Sequence, residues 1–479
     1  MSSAFPTATV IGYPHIDPNR EQTKALSNYC AGRIDALDLS RCMRSLRLNT
    51  YSRLRELGLD EDYSIPTSSS HCDHVFDTAL SVVFDTALSV GLIESEPTGT
   101  DFNLDDYFAA ARATGQTAPL GVDTRFDANY RHLVPELKES APFRARPQHL
   151  LSLVSEARAA GHTIRPVLVG PVTLLALAKT NPDSNVSAFD RLDELAVAYI
   201  DVISILAAAG VDWVQLDEPA LVTDFAEHSD SELAEAASRA YTALSRANTR
   251  PQILVTAPHG SLRAGLSALA HSGIDALGVD VSAATRASDP DCVARIAAET
   301  PTSVHLVAGV IDGGNVLADD LSTSLSVLQD CDRESLSVST STSMLDTPHA
   351  VSVETDLNVQ ETSELSAAEE KVTAVKTLAV AFTDRPDDTE GSSPRVCRPH
   401  GPLREIGDPQ ELVASDTVLR LDSQTVPVRL HKAGDDIAVG SAQDLAVVDR
   451  PSDASSEKSF VRRQHGGYVS ARLARRRNL

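Results

Sequence analysis

"VDWVQLDEPALV", residues 211–222, is an apolar run that ends abruptly in two adjacent carboxylates, Asp217 and Glu218, followed at once by Pro219. It is too short for a helix and reads as a strand buried on both faces. Five more runs of this kind follow one pattern: "TIRPVLVGPVT" (163–173), "PQILVTAPH" (251–259), "IDALGVDV" (274–281), "VHLVAGVIDG" (304–313) and "SLSVSTSTS" (335–343). Between them lie Ala/Leu/Glu-rich segments such as "SAFDRLDELAVAYIDVISILAAAG" (187–210), with helical periodicity and Gly210 placed for a C-cap. Strand and helix in alternation imply a parallel sheet with right-handed crossovers. Two upstream candidates, "TATVIGYP" (7–14) and "GVDTRFDANYRHLVP" (121–135), bring the number to eight. Eight such units close a (β/α)8 TIM barrel. An open doubly wound sheet is the alternative, but no G-x-G-x-x-G follows an early strand.

In a barrel the active surface lies at the C-terminal ends of the strands. Thr173, Asp217, Glu218, His259, Asp280, Asp312 and Ser341 fall there. Neighbours on a strand point to opposite sides, so Asp217 and Glu218 need not act together. One can face the barrel mouth while the other caps a helix or pairs with a base. For each acid the sequence leaves both readings open.

The chain has 479 residues, enough for one large barrel with an appendage or for two domains, and 42% of them are hydrophobic. No apolar run reaches the length of a membrane span, and "MSSAFPTATVIGYP" lacks the basic start and apolar stretch of a signal peptide. The six cysteines are scattered rather than spaced as a disulfide framework, which reads as a cytoplasmic protein with reduced thiols. A net charge of −25 argues against nucleic-acid binding, which needs a basic face.

"VFDTALSV" at 75–82 is repeated letter for letter at 83–90. Eight residues of helix turn two full turns plus about 80°, so the two copies cannot bury the same side chains at one level. A perfect tandem copy reads as a slippage duplication rather than a repeat architecture. From 383 onward Pro, Gly, Ser and charge dominate, with one strand-like patch at 416–440 and an Arg-rich end. This region reads as a linker and a poorly structured C-terminal tail.

"HCDH" (71–74) and "CRPH" (397–400) each offer Cys and His without a second ligand pair, short of a closed metal site. "GVIDGGNV" (309–316) follows a late strand and reads as a barrel-top turn rather than a phosphate cradle. In "GYPHIDPNREQTKAL" (12–26) a strand ends at Gly12 and Asn19 is placed to cap a helix starting near Arg20. A helix N-terminus with a forked guanidinium suits a carboxylate, and an ordinary capped helix with a surface Arg is the competing reading.

"GYPHIDPNRE", "FDANYRHLVPEL", "RPVLVGPVTLLALAK", "DWVQLDEPALV", "GVIDGGNV" and "STSMLDTPHAVSVETDL" together resemble, in order, the N-terminal barrel of cobalamin-independent methionine synthase, the zinc-dependent 5-methyltetrahydropteroyltriglutamate–homocysteine methyltransferase. The resemblance covers roughly residues 7–384. It implies a methyl transfer from the methylated folate to homocysteine, carried out by a zinc-bound thiolate in a second barrel. The first barrel then contributes to the interface and to the site of the folate's polyglutamate tail. By resemblance that tail site maps to Arg20, Glu21, Gln22, Thr23 and Thr124. Family lysines are replaced here by Thr23 and Thr124, with Lys24 and Arg125 as neighbouring bases. Thr342 stands where the family usually has Cys, and Asp346 where it usually has His.

The resemblance stops after the helix at 366–382, without the family's second barrel. The expectation is therefore a barrel over 1–384 and a tail over 385–479 that is disordered or the product of a reading-frame change, with the zinc ligands absent from this chain. Three functions compete: the family's methyl transfer, completed by a separate C-terminal barrel chain; a non-catalytic module that docks a partner barrel or binds folyl-polyglutamate; and an inactive fragment.

Overall fold

The computed structural model describes residues 3–14, 21–67, 81–92, 121–124, 131–134, 136–137, 141–180, 187–223, 228–331, 333, 335–345, 347–353 and 364–384, and beyond these only strand residues between 417 and 474. Eight short strands supply the frame: β1 (Ile65–Pro66), β2 (Ile164–Arg165), β3 (Val167–Val169), β4 (Trp213–Asp217), β5 (Gln252–Ala257), β6 (Ala276–Asp280), β7 (His305–Ile311) and β8 (Leu336–Thr340). β3 to β8 form one parallel sheet in sequence order. β2 continues into β3 across Pro166 and pairs in parallel with β1. The first segment of the chain closes the other edge. Thr9 N–H donates to Val338 O at 3.0 Å, and Val338 N–H donates to Thr7 O at 3.0 Å. Thr9 Oγ1 then donates to Ser64 O at 2.7 Å, joining that segment to β1. The sheet thus curls into the expected parallel barrel.

One of the eight expected strands is a different one. Within 121–135 the described residues do not join the barrel sheet: Gly121–Thr124 and Arg131–Val134 pair antiparallel with each other, with Thr124 opposite Arg131. The barrel position is taken by "SIPT" around β1. Its single large apolar residue, its proline and the serines after it look like a turn in sequence, and only the parallel pairing with β2 reveals a strand. "TIRPVLVGPVT" is also not one strand: it breaks at Pro166, and from Pro171 the chain is helical to Leu177.

Directly paired residues of parallel neighbours share a face of the sheet. The register places Trp213, Gln215 and Asp217 on one face with Leu254 and Thr256, then with Gly278 and Asp280, then with His305, Val307 and Gly309, then with Ser337 and Ser339. That face is the barrel interior. Phe5 plugs its lower end, with ring centroids 4.7 Å from Trp213 and 5.3 Å from His305. The alternate residues, among them Val214, Leu216, Ile253, Val255, Leu277 and Val338, are buried beneath the helices.

The helices follow their periodicity. Leu192–Ala208 buries Leu195, Tyr199, Val202 and Leu206, and Tyr199 donates its hydroxyl to Val169 O at 2.6 Å. Its end is a Schellman motif. Gly210, at φ +79, donates to Ala207 O, and Val211 donates to Leu206 O, so the C-cap assigned to Gly210 holds. Ser187 opens the segment with a capping box to Asp190. Beyond residue 384 the described residues include a four-stranded antiparallel sheet from Thr417–Leu419, Val426–Leu430, Glu457–Gln464 and Gly467–Ala474. The first two fall in the strand-like patch at 416–440.

The second copy of the duplicated octapeptide lies in the helix Ser81–Ser89 and the turn after it. Thr86, Ala87 and Val90 are fully buried, and Thr86 Oγ1 accepts from the buried Val169 N–H at 2.9 Å, at the end of β3. The first copy, 75–82, extends beyond the described residues. Thr86→Val keeps the shape but leaves a buried N–H unpaired, so it should cost about 1–3 kcal/mol, while Thr86→Ser should cost much less. Chemical denaturation of the two variants checks this; equal stability would show that the hydroxyl is dispensable.

Candidate functional site

The two acids that end β4 have different tasks. Glu218 is fully buried and faces the helix Pro171–Leu177. Its carboxylate accepts from Val172 N–H at 3.1 Å, Thr173 N–H at 2.7 Å and Tyr241 Oη at 2.7 Å. It satisfies donors that a helix start leaves open, and it sits where the helix dipole favours a negative charge. Gly170 makes room for it: a Cβ there would lie 2.2 Å from the Glu218 carboxyl and 2.5 Å from Tyr241 Oη. Thr173 is also part of this joint, since its hydroxyl accepts from Ala220 N–H at 3.1 Å. Burial pushes the Glu218 carboxyl up to about 7, against the pull of its hydrogen bonds from Thr173, Tyr241 and Val172.

Asp217 turns into the barrel and is partly exposed at the mouth. Its Oδ1 accepts from Gln215 Nε2 at 2.7 Å and Thr256 Oγ1 at 2.5 Å. Below it, Gln215 Oε1 accepts from Arg165 Nε at 3.0 Å and Nη2 at 2.9 Å. Arg165, fully buried, also donates to Tyr63 O, to Thr9 Oγ1 at 3.0 Å and to Val10 O at 3.2 Å. A polar file therefore runs up the barrel axis from arginine through glutamine to aspartate. A buried guanidinium is tolerable only when its donors are met, and this one ties the chain's first segment to β1, β2 and β4. Burial lowers the Arg165 pKa to about 9 and raises that of Asp217 to about 6, and the two charges partly offset those shifts in each other.

Of the remaining strand-end residues, Asp280 is buried and accepts from Ser282 N–H at 3.0 Å, and burial pushes it up to about 6. Asp312 holds the following turn, accepting from Gly314 N–H at 2.8 Å and Asn315 Nδ2 at 2.6 Å. Ser341 is buried, its N–H bonded to Ile311 O at 2.7 Å. His259 has φ +80 in the turn after β5.

Among the residues assigned by resemblance, Glu21, Gln22 and Thr23 form the first turn of the helix Glu21–Cys30, and all three are half-buried. The helix starts one residue after Arg20, which lies outside the described residues together with Asn19, Arg125 and Asp346. Thr124 ends the strand Gly121–Thr124, opposite Arg131. Among the described residues no group of three or more His, Cys, Asp or Glu is placed to hold a metal ion. "HCDH" and "CRPH" lie outside them. No helix among the described residues is long and apolar enough to cross a membrane.

Sequence reasoning missed Arg165, Gln215, Tyr241 and Thr256. A signal existed for two of them: an arginine in "TIRPVLV" and a glutamine in "WVQLDE" interrupt runs that are otherwise apolar. Tyr241 and Thr256 carry no such mark, because they matter only through the partner that the fold brings to them.

Glu218 binds its proton more tightly in the folded chain than in an unfolded one, where a glutamate titrates near 4.3. Its contribution is fully present below that value and is lost as pH rises through about 7. Glu218→Gln should flatten this part of the stability profile, by about 2–3 kcal/mol between pH 4.5 and 8. Urea denaturation across that range, at fixed ionic strength, reads it; an unchanged slope in the variant would show that Glu218 does not titrate there.

The family model described as the N-terminal domain of cobalamin-independent synthase matches residues 7–335. A 5-methyltetrahydropteroyltriglutamate–homocysteine methyltransferase of Rhodococcus jostii (strain RHA1) is 42% identical over 388 residues, covering 80% of this chain and 48% of the relative. The protein of that name in Mycobacterium tuberculosis (strain ATCC 25618 / H37Rv) is 39% identical over 384 residues, with 80% and 48% covered. The chain thus spans about half the length of these relatives. Among solved structures, a B12-independent methionine synthase from Shewanella sp. W3-18-1 superposes with a TM-score of 0.51 over 80% of this chain and 98% of that one, at 14% identity, a likeness of fold. With its barrel closed and the QLDEPAL acids in place at the end of β4, the chain belongs to the cobalamin-independent synthase N-terminal domain family.

Proposed function

We propose that this chain supplies the N-terminal barrel of a 5-methyltetrahydropteroyltriglutamate–homocysteine methyltransferase, and that its task there is to receive the carboxylates of the folate's polyglutamate tail. The observation that carries the reading is the helix N-terminus at Glu21. It opens one residue after Arg20, at the place where the family resemblance puts the tail. A helix N-terminus and a forked guanidinium both suit a chain of carboxylates. Residues 1–384 are the functional unit in this proposal, with 385–479 a linker and tail. Methyl transfer itself needs a thiolate made nucleophilic at neutral pH, which zinc supplies by lowering the thiol's pKa. The described residues do not fit that metal. The transfer is therefore assigned to a second barrel, encoded separately, with homocysteine bound there.

A non-catalytic folyl-polyglutamate-binding or barrel-docking module is the second reading. Thr23 and Thr124, in place of the family's lysines, favour its barrel-docking form, because they leave the tail site with less positive charge on a chain of net charge −25.

Calorimetry with triglutamate and monoglutamate forms of the folate tests the tail site. The triglutamate should bind more tightly, the difference should shrink as salt rises, and Thr23→Lys should strengthen triglutamate binding by about 0.5–1 kcal/mol. Equal affinity for the two forms would remove the proposal. Assayed alone with added zinc, the chain should form no methionine. Turnover with stoichiometric bound zinc would place the transfer in this chain and overturn its assignment to a second barrel.

A further inference from the structure

The duplicated octapeptide gives one slot in the barrel wall two identical candidates. The second copy fills that slot. Thr86, Ala87 and Val90 are fully buried there, and Asp85 and Ser89 are buried beside them. Thr86 Oγ1 meets Val169 N–H, and Ser89 Oγ donates to Asp85 O at 2.7 Å. The carbonyls of Ser89 and Val90 accept from Arg146 N–H at 2.6 Å and Arg144 N–H at 2.8 Å. The first copy offers the same side chains in the same order, as Asp77, Thr78, Ala79, Ser81 and Val82. Its letters therefore do not decide between the two.

Chain connectivity does not decide it either. Thr67, just after β1, accepts from Val167 N–H at 3.1 Å through its hydroxyl, two residues along β3 from the Val169 that Thr86 meets. The two hydroxyls thus stand roughly 7 Å apart along the strand direction. The stretch from Thr67 to Thr78 spans that distance as readily as the longer one to Thr86, because closure entropy grows only slowly with loop length.

What differs is the residue that follows. Gly91 follows the second copy and Val83 the first. Gly91, at φ +71, is the C′ residue of a Schellman motif: its N–H donates to Leu88 O at 3.1 Å, and Leu92 N–H donates to Ala87 O at 2.8 Å. A valine at that position is opposed twice. The left-handed conformation disfavours any Cβ, and a β-branched side chain most of all. The Cβ would also lie 2.9 Å from Arg144 O and 3.0 Å from Arg144 N, on backbone that is held by its own hydrogen bond to Val90 O. We infer that Gly91 is a register lock: both copies of the octapeptide fit the slot, and the glycine after the second copy is what keeps the first one out.

Substitution of the two threonines in the full chain tests the lock, with the unfolding constant read by urea denaturation. In the parent chain Thr86→Val should raise that constant about 5- to 150-fold, for a buried N–H left unpaired, and Thr78→Val should leave it unchanged. Val83→Gly gives the first copy its own C′ glycine. In that background either copy fills the slot, so Thr86→Val should raise the constant only about twofold, the statistical loss of one of two registers. Adding Thr78→Val to that pair should restore the full loss. Gly91→Val reaches the same degeneracy from the other side: the Thr86→Val effect should again shrink to about twofold, whereas in a chain with a single copy of the octapeptide it should keep its full size. A Thr86→Val effect as large in the Val83→Gly and Gly91→Val chains as in the parent would overturn the inference, because the first copy then cannot enter the slot. Equal effects of Thr78→Val and Thr86→Val in the parent chain would overturn it from the other direction, since Gly91 then holds nothing back.

Discussion

The Glu218 carboxylate is the joint on which the middle of this barrel depends. A helix that begins directly after β3 has open N–H groups in a place water does not reach, and a carboxylate reaching in from the end of β4 meets them. The same group accepts from Tyr241 on the helix Asp230–Ser245, which follows β4. One side chain therefore ties two strands and two helices together. Gly170 is required because no other residue leaves space for it. Without the acid, buried donors would go unpaired at a cost of about 1–3 kcal/mol each. The adjacency of Asp217 and Glu218 follows from the pleat. One strand end must serve both the helix layer and the barrel axis, and consecutive residues face those two directions.

The axis is unusually polar for a packed barrel. Interiors of this fold are commonly filled by bulky branched side chains. Here Arg165, Gln215 and Asp217 are stacked, with Thr256, Asp280 and the serines of β8 around them. Such a file is stable only because nearly every donor has an acceptor. Arg165 alone joins the first segment of the chain to β1 and β4 through four partners. Two buried cations balance the acids of the barrel: Arg165 at the far end of the file below Asp217, and Lys371, which pairs with Asp319, whose other oxygen accepts from Asp312 N–H.

Much of this was legible in the chain. The alternation of short β-branched runs with Ala/Leu-rich periodic segments determined a parallel α/β barrel, because a strand buried on both faces and a helix with one apolar stripe have few other ways to pack. The C-cap at Gly210 and the helix start near Arg20 were readable for local reasons, since caps depend on residues a few positions apart. The order of the motifs was enough to indicate the family. The tertiary structure decided what depends on partners far apart in sequence. It replaced the strand expected at 121–135 with Ile65–Pro66, because a two-residue strand is defined by the neighbour it pairs with and not by its own pattern. It separated the tasks of Asp217 and Glu218, which adjacent letters could not do, since the difference lies in whether Thr256 or Val172 and Tyr241 stand opposite.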